Sequence, residues 1–89
     1  MAQIKASKPI GQIKKGDKVK VDGKSYEVDA HYVLIEHGAT KEMCIELFDS
    51  SDNDFQLRYF SDQAEETLDF YELVKGVMYQ KREANKIEW

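Results

Sequence analysis

Two histidines and one cysteine are the side chains in this sequence best suited to metal binding or nucleophilic catalysis. His31, His37 and Cys44 follow one another at spacings of six and seven residues. A structural zinc site needs four ligands at tighter spacing, and a nucleophilic cysteine needs a base and an orienting partner. We therefore expect no metal, no cofactor and no enzymatic activity, and we expect Cys44 to act as a small apolar filler in a strand.

The segment Asp52-Asn53-Asp54 resembles the start of a calcium-binding loop. Such a loop needs glycine at its sixth position and glutamate at its twelfth, and this chain has Leu57 and Gln63 there. The sequence also lacks a glycine-rich phosphate loop and a serine nucleophile elbow. The aspartates therefore predict a plain turn.

Aromatic side chains are the first candidates for a binding surface. Most tyrosines of a small β domain lie in its core, but two exposed rings side by side would form a peptide groove or a platform for stacking bases. The candidates are Tyr32, Phe60, Tyr71 and Tyr79.

Lysines are the second candidates, because the charge of the chain is unevenly distributed. Residues 1–24 hold seven lysines and two aspartates, a net charge of +5, whereas residues 25–89 carry −9. The lysines could protect a sheet edge from aggregation, or form a basic patch for a phosphate backbone or an acidic partner. The candidate binding residues are Lys14, Lys15, Lys18, Lys20 and Lys24.

Length and composition predict one domain. At 89 residues the chain is too short to divide, and we expect a flexible lead-in over 1–12 followed by one domain over 13–89. The single cysteine and the absence of a long apolar run predict a cytoplasmic protein without membrane association.

Turn residues and alternation predict antiparallel strands. Asp22-Gly23 lies between two alternating runs and predicts a two-residue β-hairpin. Further strands are expected over 25–36, 41–49, 55–60 and 77–82. The far end of the first of these is expected to be either buried on both faces or bent by a bulge. Residues 61–75 fit either a short helix or, preferably, a turn followed by a strand. Ile87 and Trp89 are expected to close the core.

Short strands joined by turns predict an all-β fold. A flat sheet would leave its apolar face in water, at a cost of roughly 25 cal/mol per Å². We therefore expect a small SH3-like or Tudor-like barrel of five or six antiparallel strands.

Two sets of motifs resemble known families. The hairpin Gly16-Asp17 to Tyr26-Glu27-Val28, with Cys44 to Asp49, Tyr59 to Gln63 and Leu68 to Tyr71, resembles an uncharacterised family of small SH3-like β-barrel domains of unknown function. That resemblance implies a fold and no reaction. Lys15-Gly16-Asp17 and His37-Gly38-Ala39-Thr40-Lys41 are similar to the N-terminal SH3-like domain of the hypusine-containing translation factor. Glu36 stands where that family has its modified lysine, so this resemblance implies a barrel topology and RNA binding without the modification.

The sequence favours a non-catalytic binding module for a protein or peptide partner. The alternative is an RNA-binding or translation-associated domain that uses the lysine-rich hairpin. A pI near 5.1 favours the first, because lysines spread along a chain release few counterions from a nucleic acid. Homodimerisation through an edge strand is a third possibility, although we expect a monomer.

Overall fold

The structure, a computed structural model, describes residues 2–89 as a mainly β fold. A 3₁₀ helix spans Ile10–Gln12, and one short helix, α1, spans Ala64–Thr67. The strands are β1 (Gln3–Lys5), β2 (Lys18–Val21), β3 (Lys24–His37), β4 (Thr40–Phe48), β5 (Asp54–Phe60), β6 (Asp69–Val74), β7 (Met78–Arg82) and β8 (Lys86–Glu88).

All eight strands form one mixed sheet in the order β1-β8-β2-β3-β4-β5-β6-β7. β1 pairs with β8 in parallel, and the other neighbours are antiparallel. The prediction of a β fold is confirmed, but the predicted closed barrel of five or six strands is wrong. Closure would require β7 to pair with β1, which has only three residues. An opening of about 420 Å³, lined by Ala2, Phe70 and Arg82 among others, lies between these two ends of the sheet.

The sheet buries one face by curling, without closing. We call this face the inner face and the opposite one the outer face. Register shifts in β3, between Val28 and Ala30 and between Val33 and Ile35, mark β-bulges, which add twist and bend the strand. The second bulge confirms the expected irregularity at the far end of β3. The core residues are Ile10, Ile13, Val19, Val21, Tyr26, Val28, Ile45, Leu47, Phe55, Leu57, Tyr59, Leu68, Phe70 and Ile87.

Residues 2–12, the described part of the predicted lead-in, are more structured than the sequence predicts, and Met1 lies outside the described residues. β1 lies beside β8, where the backbone N–H of Gln3 donates to the carbonyl of Asn85 at 2.8 Å. Ile4 packs against the core, and Ile10 is buried within it. The segment has no alternating pattern because only a few of its side chains contact the core, so alternation does not predict a strand there.

The predicted turns agree with the structure at the best-marked positions. Asp22 and Gly23 have φ values of 51° and 83°, as a two-residue turn between β2 and β3 requires. In residues 61–75 the predicted strand is confirmed as β6, whereas the segment preferred as a turn contains the short helix α1. Ile87 is fully buried, and Trp89 is half-buried against the core, with its indole N–H donating to the carbonyl of Lys8 at 2.8 Å.

Neither helix within residues 2–89 has the length or composition of a membrane span.

Candidate binding face

The outer face divides into two halves. Side chains alternate along each strand, so the register shows which residues share a face. Opposite Ile45 and Leu57, which point into the core, Tyr32, Cys44 and Arg58 stand side by side on the outer face of β3, β4 and β5. We call the outer face of β3 to β7 the aromatic half. The outer face of β1, β8 and β2 is the lysine half.

Arg58 lies at the centre of the aromatic half and contacts two of its tyrosines. Its guanidinium carbon is 4.3 Å from the ring centroid of Tyr71 and 5.9 Å from that of Tyr79. Its Nε donates to Oε1 of Gln56 at 2.9 Å, and Gln56 is buried. Cation–π contacts of this kind contribute about 0.5 to 2 kcal/mol. Gln56 and the two rings therefore hold Arg58 in place across three strands.

Tyr32 occupies the other side of the same half. Its hydroxyl donates to Oε2 of Glu46 at 2.5 Å, and its side chain is 36% exposed. Burial and the bond to Glu46 raise the pKa of Tyr32 well above its usual range, so the hydroxyl remains a donor at neutral pH. Cys44 lies opposite Tyr32 and is fully buried, and burial also raises the pKa of its thiol. Cys44 is therefore a protonated filler beneath the rings.

The aromatic half carries more negative than positive charge. Burial raises the pKa of Tyr79, and the carboxylates of Glu46 and Asp54 raise it further. Lys81, opposite Tyr71, pairs with Asp69 at 3.2 Å. By register, the carboxylates of this half are Glu27, Glu42, Glu46, Asp54 and Asp69, and its cations are Arg58 and Lys81.

Phe60 extends the aromatic half toward the β3–β4 turn. By register Phe60 and Ile35 both flank Glu42, and the bulge in β3 places Ile35 on the same face as Tyr32. The ring of His37 lies 5.7 Å from that of Phe60, centroid to centroid. The four aromatic residues predicted from the sequence therefore share one face of the sheet.

The five predicted lysines do not converge in the same way. Lys18 pairs with Glu27, and Lys24 pairs with Asp49 at 3.2 Å while lying over the rings of Tyr26 and Phe55. Lys20 stands opposite Glu88 on β8. Lys14 and Lys15 lie in the turn before β2.

A shallow groove of about 300 Å³ brings several lysines together. It lies beside Trp89 and is lined by Lys5, Lys18 and Lys20 together with Glu88. Glu88 also pairs with Lys86 at 2.9 Å, and this contact lowers the pKa of the carboxyl. The groove therefore keeps a carboxylate among its lysines.

The two histidines and Cys44 lie apart. His31 pairs with Ile45 by register on the inner face, and Cys44 lies on the outer face. The Nδ1 of His31 donates to the carbonyl of Ile13 at 2.7 Å, so in the neutral ring Nε2 accepts from the hydroxyl of Tyr59 at 2.6 Å. Burial raises the pKa of Tyr59 to about 12, which keeps that hydroxyl a donor. His31 therefore ties the lead-in to the core.

The acidic loop between β4 and β5 is held by hydrogen bonds within the loop. Oδ1 of Asp49 accepts from the backbone N–H groups of Ser51 and Asn53 at 3.0 and 2.9 Å, which builds the turn predicted for this loop. Within residues 2–89 no group of three or more histidine, cysteine or acidic side chains is arranged to hold a metal ion.

Sequence patterns identify the aromatic residues of this face but not the polar side chains that lie between them. Arg58, Gln56 and Glu46 were not singled out, although Gln56 and Arg58 alternate in phase with Phe60. Their position beside Tyr32 and Tyr71 depends on the pairing of β4, β5 and β6.

Comparison with known proteins identifies no relative of this chain. No family model, no curated protein and no solved structure matches this chain. The two resemblances drawn from the sequence motifs therefore remain predictions, and the candidate function depends on the geometry of the outer face.

Proposed function

We propose that this chain is a non-catalytic module that binds a lysine- or arginine-bearing peptide segment of a partner protein across its aromatic half. The observation that carries the proposal is the cluster of Tyr71 and Tyr79 around Arg58, with Tyr32 on the same face two strands away. Partly exposed tyrosines offer large contact area at little cost in side-chain entropy.

The charges on this half favour a basic ligand. Five carboxylates and two cations lie on this half by register. Glu27 is paired with Lys18 of the lysine half, and the cation Lys81 is paired with Asp69. A phosphate backbone would be repelled by this surface, whereas a lysine or arginine side chain would be attracted. Glu46 already accepts a hydrogen bond from Tyr32 and retains a second carboxylate oxygen for a ligand.

Binding of RNA through the lysine half is the alternative. The groove beside Trp89, with Lys5, Lys18 and Lys20, favours it. The contacts of Lys18 with Glu27 and the position of Lys20 opposite Glu88 weaken it, because a paired lysine attracts a phosphate less strongly. We rank this function second.

The buried free thiol of Cys44 fits a reducing compartment, and we propose that the module acts in the cytoplasm.

An NMR titration with three probes tests the function. The probes are a short peptide rich in lysine and arginine, an acidic peptide of equal length, and an oligouridylate RNA at low and high salt. We expect the basic peptide alone to shift the amide signals of β4 to β7. Tyr71→Ala should weaken its binding about tenfold, as expected for an interface hot spot. Lys20→Ala, in the lysine half, is the matched control and should leave peptide affinity unchanged.

Two results would contradict the proposal. If the basic peptide shifts no amide signals of the aromatic half, the proposed function is wrong. Binding of the RNA with a steep loss of affinity at high salt, abolished by Lys20→Ala, would instead establish the alternative.

A further inference from the structure

The far end of β3 is a free strand edge. β3 has fourteen residues, but β2 pairs only with Lys24 to Glu27. The turn before β2 extends this cover to Val28, whose backbone N–H and carbonyl bond to Asp17 and Gly16 at 2.8 Å. On that side, in the part of the chain from 2 to 89, residues 32–37 have no backbone partner.

This edge lacks the features that protect the other two edges of the sheet. β1 is only three residues long and ends at Lys5. β7 carries Lys81 and Arg82, which pair with Asp69 and Glu72. Charged side chains and short strands block strand addition in this way.

Along β3, by contrast, residues 32–35 are Tyr-Val-Leu-Ile. The side chains of Val33 and Ile35 are 40% and 48% exposed. A row of unpaired backbone groups flanked by exposed apolar side chains is a template for another strand.

We propose that a second copy of this chain pairs with the first along residues 32–37 of β3, antiparallel and about a two-fold axis. A two-fold interface brings the same surface of both copies together, so the edge must be complementary to itself. An axis near Leu34 would bring the exposed Val33 and Ile35 of both copies to the interface, Val33 on the inner face and Ile35 on the outer face, because the bulge lies between them.

The charges at the two ends of this edge fit that arrangement. At its beginning, Lys14 and Lys15 follow Ile13, whose carbonyl bonds to His31, and Asp29 is the nearby carboxylate. At its end lie Glu36, Glu42 and Asp62, with Lys41 opposite Glu36. Antiparallel pairing places the basic beginning of one edge beside the acidic end of the other.

The free edge contains a bulge, which increases local twist and weakens strand addition. The pairing is therefore expected to be reversible and dependent on concentration. It leaves Tyr71 and Tyr79 uncovered, since these lie on β6 and β7 at the other side of the sheet. Dimerisation and peptide contacts with Tyr71 and Tyr79 are thus separable, whereas Tyr32 belongs to both surfaces.

Sedimentation velocity over a series of concentrations tests the pairing. We expect the wild-type chain to shift from monomer to dimer, and Ile35→Lys to raise the dissociation constant about tenfold or more by placing like charges at the axis. Val77→Lys is the matched control, because Val77 is 81% exposed in the β6–β7 turn and gains the same charge. Tyr71→Ala should not affect the dimer.

A monomer at every concentration would overturn the proposal, and so would an equal loss of dimer in Val77→Lys. Thermal melting of each variant shows that it folds. A second readout is hydrogen exchange, in which the amides of residues 33–37 should become better protected as concentration rises.

A charge exchange provides an independent test. Glu36→Lys alone and the pair Lys14→Glu with Lys15→Glu should each weaken self-association. A mixture of these two variants should form a heterodimer, because both contacts then join opposite charges. Failure of the mixture to associate better than either variant would exclude the two-fold antiparallel arrangement.

Discussion

The aromatic half and the lysine half of the outer face belong to one sheet but differ in how their side chains are fixed. In the aromatic half, Arg58 is held between Gln56 and the rings of Tyr71 and Tyr79, and Tyr32 is held by Glu46. In the lysine half, the cations lie beside carboxylates on the neighbouring strand, as Lys18 does beside Glu27. Exposed pairs of this kind contribute about 0 to 1 kcal/mol.

This difference shows that charge density along a chain does not by itself make a binding patch. Lys18 and Lys20 share the outer face, but Lys24 lies over Tyr26 and Phe55 and pairs with Asp49. Strand pairing also brings Glu27 and Glu88 beside Lys18 and Lys20. The aromatic residues, spread over forty-eight positions from Tyr32 to Tyr79, are the ones that the sheet gathers on one face.

Truncation of the core beneath each half should have the largest effect and would test whether they unfold together. Leu47 packs beneath the aromatic half and Val19 beneath the lysine half, and both are buried. We expect Leu47→Ala to lower the free energy of unfolding by about 2 to 5 kcal/mol and Val19→Ala by about 1 to 3 kcal/mol, because fewer methyl groups are lost. Urea denaturation followed by circular dichroism and Trp89 fluorescence measures both. Two separate transitions would mean that the halves are independent.

The turn that joins the halves is the site of the next largest effect. Gly23, between β2 and β3, has a φ of 83°, and a Cβ built there meets no atom within 4 Å. Gly23→Val should therefore destabilise through the backbone alone, by roughly 1 to 3 kcal/mol. Gly11→Val is the control, because Gly11 has equal space and no positive φ. Equal melting temperatures for the two variants would contradict the left-handed turn.

The smallest expected effect is a pH dependence at the ion pair that links Lys24 with the β4–β5 loop. Hydrogen bonds from Asn53, and then the contact with Lys24, lower the pKa of Asp49 to about 2 from 3.8. The ionised carboxylate therefore stabilises the fold above the unfolded pKa, and this stabilisation is lost as pH falls from about 4 toward 2. Denaturant titrations at several pH values should show a shallower decline for Asp49→Asn.

The matched control for this effect is Asp52→Asn, at an exposed position in the same loop. It should retain the wild-type slope. An unchanged slope in Asp49→Asn would show that the Asp49 carboxylate, with its bonds from Asn53 and Lys24, does not contribute to acid stability.

Much of the fold could be predicted because its signals are local. The Asp22-Gly23 turn, the strands after it and the turn at Asp49 follow from turn residues and alternation. β1 and β8 were missed because strands of three residues are too short for alternation to be recognised, and their neighbours in the sheet are distant in sequence. The predicted barrel failed for the same reason, since closure depends on these strands.

The sequence predicts the aromatic residues of the candidate site but not how they are arranged. Tyr32, Phe60, Tyr71 and Tyr79 were recognised by type, while Arg58, Gln56 and Glu46 were not. A pattern along one strand shows which residues alternate, but the contact of Arg58 with Tyr71 depends on the register between β5 and β6. Register is set by burial on the inner face, where a slip of one residue would expose Leu57.

The sequence by itself determined the β class, the main hairpin and the identity of the aromatic residues, because turn chemistry and alternation act between residues close in the chain. Only the tertiary structure decided the order of the strands, the opening between β1 and β7, and the separation of the outer face into two halves. Those features follow from pairing and burial among residues far apart in the chain, whose geometry is fixed only when the whole sheet has formed.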